Sequence, residues 1–160
     1  IQGNYINLEA GGSGRFIVGL SQTNGLAKFI FVTDDNGVNW IQKYTVVTTD
    51  ITFGWNDSVR AGSDLYLAGA GGGAANAVDN RVVRSTNNGD TWVRFTGDDR
   101  TSIAAITWHG STSTLFIGRA VAGAGNVLKM QNPLPASVWV DDSIPSDPRA
   151  ILQEGLKVVV

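Results

Sequence analysis

The stretch Arg81-Val82-Val83-Arg84-Ser85-Thr86-Asn87-Asn88-Gly89-Asp90-Thr91-Trp92 decides how the rest of the chain is read. It opens as a short β-rich run, passes through an Asn-Asn-Gly turn, and reaches Trp92 at the start of a second run. An earlier stretch, Phe29-Ile30-Phe31-Val32-Thr33-Asp34-Asp35-Asn36-Gly37-Val38-Asn39-Trp40, has the same plan. In both, a hydroxyl residue is followed two on by Asp or Asn, two further on by Gly, and three further on by Trp. Two occurrences of so specific a spacing, each after a β-rich run, argue against chance.

The turn has a physical reading of its own. The carboxylate of Asp35, or the amide oxygen of Asn87, is expected to accept backbone N–H groups about two residues on, as in an Asx turn. Gly37 and Gly89 supply the positive φ of a tight hairpin. Trp40 and Trp92 are expected to cover the turn with a large apolar ring whose N–H still finds a partner. An amide cannot act as a general acid or base at neutral pH. Asn87 therefore marks both sets (Thr33, Asp35, Gly37, Trp40 and Ser85, Asn87, Gly89, Trp92) as scaffold rather than active site.

The spacing [Ser/Thr]-x-[Asp/Asn]-x-Gly-x-x-Trp resembles the Asp-box, or BNR repeat, of sialidase-like β-propellers. The resemblance implies an all-β fold of propeller blades, each of four antiparallel strands. Trp40 and Trp92 are 52 residues apart and Trp92 and Trp139 are 47 apart, and periods near 50 suit such blades. One propeller domain is expected over 1–160, with blades at about 5–47, 48–97 and 101–141 and the start of a fourth at 148–160. Within the second blade the first strand is expected at 51–55. The third box is degenerate, with Asn132-Pro133-Leu134-Pro135 in place of the capped turn. Three blades do not close a ring, so the reading is of an incomplete propeller. The expected partners are further blades of the same chain or other copies of it.

Composition narrows the class. The chain has 160 residues, 20 Gly, two Glu against twelve Asp, and a formal net charge of −2. Scarce Glu and abundant Gly disfavour long exposed helices. No basic run suggests a nucleic-acid footprint, and no apolar run approaches a membrane span. Cys is absent, which removes disulfides, thiolate metal sites and thiol nucleophiles. No signal peptide is legible at Ile1-Gln2-Gly3. The Cys-free, Gly/Ala/Asn/Thr-rich make-up suits an extracellular or virion-surface protein.

In antiparallel blades the boxes lie on one rim, and the resemblance implies a ligand site on the other. That second rim collects six of the twelve Asp, in the connections holding Asp50, Asp98-Asp99-Arg100, Asp141-Asp142 and Asp147-Pro148-Arg149. Asp98, Asp99, Arg100, Asp141, Asp142 and Arg149 are the candidate ligand-binding residues, able to hydrogen-bond sugar hydroxyls or a protein segment; Asp is also a common turn former. Ca²⁺ on Asp98-Asp99 or Asp141-Asp142 is the one cofactor considered, and no dedicated loop spacing supports it. No metal site is assigned. His109 stands alone, without the partners that zinc or a Ser–His pair needs. Gly69 to Gly73 joins strands and opens no helix, so it reads as a hairpin loop rather than a phosphate cradle. Trp55 and Trp108, read as ends of equivalent strands, suit either blade packing or stacking on sugars.

Two classes of function follow. The first is a non-catalytic module, binding carbohydrate or protein or holding an assembly together. The alternative is a glycoside hydrolase, endoglucanase- or sialidase-like, with Asp50 and Asp98 or Asp99 as the carboxylate pair. The sialidases that the box resembles imply an Arg triad and a Tyr–Glu pair. Here Ser143-Ile144-Pro145 lacks the motif's Arg, and Glu9 and Glu154 are the only glutamates. That favours the non-catalytic reading.

Overall fold

The computed structural model describes residues 5–9, 14–21, 27–47, 54–70, 82–95, 103–119, 127–133, 140–141, 150–151 and 158–159. They form three four-stranded antiparallel sheets and a two-stranded one. Sheet A holds β1 (Tyr5–Glu9), β2 (Phe16–Ser21), β3 (Ala27–Thr33) and β4 (Ile41–Val47), in that spatial order. Sheet B repeats the meander with β5 (Gly54–Ala61), β6 (Asp64–Ala70), β7 (Val82–Ser85) and β8 (Val93–Arg94). Sheet C repeats it again with β9 (Ile103–His109), β10 (Thr114–Arg119), β11 (Val127–Gln131) and β12 (Val140–Asp141). β13 (Ala150–Ile151) and β14 (Val158–Val159) pair as a final sheet D. The architecture is all-β: propeller blades in succession, with the first strand of each sheet beside the first strand of the next.

Period-2 alternation sends neighbouring side chains to opposite faces, and sheet B buries both. Leu65, Leu67, Val83 and Trp92 meet Ile17, Ile30 and Val32 of sheet A, with Trp55 at the same interface. Val59, Ala61, Tyr66, Ala68, Val82 and Phe95 meet Ile103, Ile106, Leu115, Ile117, Leu128 and Met130 of sheet C. Adjacent residues such as Val82 and Val83 thus serve different cores, which is why the run shows no polar alternation. Close approach is built in at Gly19. A Cβ there would lie 2.8 Å from Cδ1 of Trp55.

One strand differs from the sequence reading. The first strand of sheet B is Gly54–Ala61 rather than 51–55, and residues 51–53 are not described. Polar residues sit inside β5 because they bond the next blade. The Asn56 amide donates to the carbonyl of Ile103 at 2.8 Å, and the Asp57 carboxylate accepts from the N–H of Ile106 at 2.9 Å. The ladder shifts register between Trp55 and Asp57, a bulge that re-aims these side chains. Trp55 and Trp108 consequently lie near opposite ends of their strands, not at equivalent positions.

Candidate functional site

The two box turns are the best-defined polar constellations among the described residues. In the first, the Thr33 hydroxyl donates to Oδ1 of Asp35 at 2.7 Å and accepts the N–H of Gly37 at 3.0 Å. Asp35 Oδ1 accepts the N–H of Asn39 at 2.8 Å, and its Oδ2 accepts the Asn39 amide at 2.7 Å. In the second, Ser85 Oγ donates to Asn87 Oδ1 at 3.1 Å and accepts the N–H of Gly89 at 2.8 Å. Asn87 Oδ1 in turn accepts the N–H of Thr91 at 2.9 Å.

Two consecutive residues in each turn are left-handed, Asn36 at φ 57° with Gly37 at 87°, and Asn88 at φ 55° with Gly89 at 90°. Asn tolerates that region better than most residues, and Gly enters it without strain. The bonding corrects the expected Asx turn in one respect. The Asp or Asn oxygen reaches the N–H four residues on, while the buried hydroxyl is the hub that holds the glycine.

These contacts set the chemistry of Asp35. The N–H of Asn39, the Thr33 hydroxyl and the Asn39 amide together hold its carboxyl down at about 2. It is a fixed acceptor, the opposite of a poised acid. The indoles diverge as well. Trp92 is 8% exposed and donates its Nε1–H to the carbonyl of Gly89 at 2.9 Å, whereas Trp40 is 42% exposed above Gly37.

Charged side chains staple the blades at this rim. Arg15, just before β2, reaches Asp34 of its own sheet's box and Asp90 of the next, both at 2.7 Å, and its Nε donates to the carbonyl of Asn88 at 3.0 Å. Lys43 adds a contact to Asp90 at 3.2 Å. Arg15, with Lys43, keeps the Asp90 carboxyl below the usual range. Within sheet B, Arg84 pairs with Asp64 at 2.5 Å and lies over the Tyr66 ring, and it reaches the turn after β11 of sheet C by donating to the carbonyl of Pro133 at 3.0 Å. Burial foremost pushes the Tyr66 hydroxyl up to about 12. No spacing in the sequence announces either staple, since Arg15 and Asp90 are 75 residues apart.

The opposite rim is where the ligand residues were expected. Asp50, Asp98, Asp99, Arg100, Asp142 and Arg149 lie outside the described residues, and Asp141 is described only as backbone, paired with Leu128 in sheet C. Among residues weighed as ligand contacts, Trp55 is 1% exposed in the A–B core and donates to the carbonyl of Phe29 at 3.3 Å. It is a packing residue. Trp108 lies against the B–C core. His109 Nδ1 meets the Thr112 hydroxyl at 2.8 Å in the turn after β9. No cluster of three or more His, Cys, Asp or Glu suited to a metal occurs among the described residues, and no described helix is long and apolar enough to cross a membrane.

The successive four-stranded antiparallel meanders are blades of a propeller-like fold, and comparison with known proteins agrees at that level. No family model matches the chain, and no curated protein does. Eleven solved chains resemble it. One is the structure described as YCF48 bound to D1 peptide, a β-propeller protein. Its likeness has a TM-score of 0.50 at 16% identity, over 81% of this chain and 39% of that one. The chain thus spans about two fifths of that neighbour's length, and the likeness bears on the fold alone.

Proposed function

We propose that this chain is an Asp-box-type propeller module that binds a protein segment on the rim opposite its boxes and performs no glycosidic chemistry. The observation that carries the reading is the state of its carboxylates. Five Asp side chains are described, and all five are engaged in holding the scaffold. Asp34 and Asp90 meet Arg15, Asp64 meets Arg84, Asp35 caps its turn, and Asp57 accepts the N–H groups of Ser58 and Ile106. A glycosidase needs two carboxyls facing the sugar, one of them kept protonated. Asp35 and Asp90 are shifted the other way.

A protein ligand is favoured over a glycan because the similar solved chain is described with a peptide bound. The connections carrying Asp98, Asp99, Arg100, Asp141, Asp142 and Arg149 offer charges of both signs, which suit a polypeptide.

The test is selection from a displayed random-peptide library, run beside hydrolysis assays on a soluble β-glucan and a fluorogenic sialoside. Peptides enriched on the wild type and lost on the Asp98→Ala/Asp99→Ala/Arg100→Ala triple variant are the expected result, with neither substrate turned over. Hydrolysis abolished by Asp50→Asn, with glycan binding retained, would sink the proposal.

A further inference from the structure

Each box carries an Asn-Gly pair, Asn36-Gly37 in the first and Asn88-Gly89 in the second. A further pair, Asn24-Gly25, lies outside the described residues. Asn-Gly is the dipeptide most open to spontaneous amide loss, because glycine puts no Cβ beside its own nitrogen. The deprotonated glycine nitrogen attacks Cγ of the asparagine. The N–Cγ bond forms, the Cγ–Nδ2 bond breaks, and ammonia leaves. Water then opens the resulting five-membered imide at either carbonyl. Opening at the side-chain carbonyl gives aspartate, and opening at the main-chain carbonyl gives isoaspartate, with the chain routed through Cβ. Solvent water is the only co-reactant, and nothing is oxidised or reduced.

In both turns the nucleophile is engaged. The N–H of Gly37 is held by Thr33 Oγ1 at 3.0 Å, and that of Gly89 by Ser85 Oγ at 2.8 Å. Reaction therefore waits on local opening of the turn, and its rate follows the fraction of molecules open. What differs is the cost of opening. Opening the second box pulls Gly89 off Ile17 and Val32, bares the buried Trp92 indole, and breaks its 2.9 Å bond to the Gly89 carbonyl. Arg15 also holds the Asn88 carbonyl at 3.0 Å, and Arg60 its amide oxygen at 3.3 Å. A guanidinium at that oxygen draws electrons from Cγ, but a 3.3 Å exposed contact is weak beside the burial of a ring. The first box lacks these restraints. Trp40 is already exposed, Gly37 is half-buried, and no described group bonds the Asn36 side-chain amide. Only its backbone N–H is tied, to the carbonyl of Gly14 at 3.0 Å.

We infer that Asn36 is a modification site, converting to aspartate and isoaspartate as the folded protein ages, while sheet A shields Asn88 from the same reaction. The product bears on the box itself. Either acid adds a carboxylate beside Asp34 and Asp35. Isoaspartate also inserts a methylene between the Gly14 and Thr33 anchors of the turn, and the Thr33–Gly37 bond is what the extra length displaces.

The experiment incubates the folded chain in mildly alkaline buffer, beside the same chain unfolded in guanidinium. Peptide mapping by mass spectrometry, with electron-based fragmentation, scores acid and isoaspartate at Asn36 and Asn88. Dividing each folded rate by its unfolded one removes the effect of neighbouring residues. On that scale Asn36 should convert roughly tenfold or more faster than Asn88, the worth of the ring burial and indole bond that only the second box has. Thr33→Ala frees the Gly37 N–H and should speed Asn36 roughly threefold to tenfold, with Asn88 unchanged. Circular dichroism checks that this variant folds, and the wild-type comparison decides alone if it does not. Equal scaled rates at the two sites overturn the inference, as does an Asn36 that stays an amide while the guanidinium sample converts. So does a folded Thr33→Ala chain with an unmoved Asn36 rate, or aspartate formed without isoaspartate, which marks direct hydrolysis rather than the imide.

Discussion

Substituting the two box glycines separates what a turn needs from what blade packing needs. Gly37 and Gly89 share a left-handed backbone, at φ 87° and 90°. Alanine at either is expected to cost about 1–2 kcal/mol for that conformation. Their surroundings differ. A Cβ on Gly37 would meet only the Trp40 ring, at 3.6 Å, whereas on Gly89 it would lie 2.5 Å from Cδ1 of Ile17 and 3.5 Å from Cγ2 of Val32. Ile17 and Val32 are buried in the A–B core, so neither yields freely, and overpacking adds about 1–3 kcal/mol. Gly89→Ala should therefore destabilise by about 2–5 kcal/mol, against about 1–2 kcal/mol for Gly37→Ala.

The offending atom also makes the cause testable. Ile17→Val deletes Cδ1, which in the wild type should cost about 0.5–1.5 kcal/mol. In the Gly89→Ala background it should cost nothing or restore stability, a coupling of about 1 kcal/mol or more. Guanidinium unfolding followed by tryptophan fluorescence and circular dichroism measures all four chains. The reasoning fails if Gly89→Ala is no worse than Gly37→Ala, or if Ile17→Val adds its full cost in both backgrounds.

Two further outcomes are expected. Ser85→Ala leaves the Gly89 N–H without its acceptor in a buried turn and should cost about 1–3 kcal/mol, read from the same denaturation curves; an unchanged midpoint would refute the hydroxyl as hub. The Asp35 carboxyl is held at about 2 against an ordinary 3.8, so its contribution is present above the unfolded value and lost as pH falls from about 4 through 2. Asp35→Asn, which copies Asn87 of the second box, should flatten the pH dependence of the denaturation midpoint in that window, and an unaltered slope would contradict the assignment.

The parts of this fold legible in the sequence were those set by residues close together in the chain. Thr33, Asp35 and Gly37 meet within one turn, as do Ser85, Asn87 and Gly89, so their spacing carries their geometry. The Trp spacing near 50 reported the meander because each blade closes locally. What escaped were contacts between blades. Asn56 and Asp57 look like loop residues until the backbone of β9, nearly 50 residues later, is seen to bond them. Arg15 looks like a solvated cation until its two carboxylates are found on two different boxes. The ligand rim was read from the resemblance and from the Asp and Arg in the connections between strands, and apart from the backbone of Asp141 its residues lie outside those described.

The two boxes show why a motif fixes a turn without fixing its surroundings. The hydroxyl and backbone N–H bonds among Thr33, Asp35, Gly37 and Asn39 are reproduced among Ser85, Asn87, Gly89 and Thr91. Only one side-chain bond is reversed, Asn39 donating to Asp35 but Asn87 to Thr91. These bonds do not explain why Trp92 is 8% exposed and Trp40 42%. The difference lies in the preceding sheet. Trp92 and Gly89 have Ile17 and Val32 of sheet A against them, and Trp40 has no such sheet among the described residues. Burial of a large ring is worth about 1.5–3 kcal/mol, and the second box gains it only because sheet A stands beside it. The burial of Trp92 is thus a property of the interface between sheets A and B rather than of the box itself.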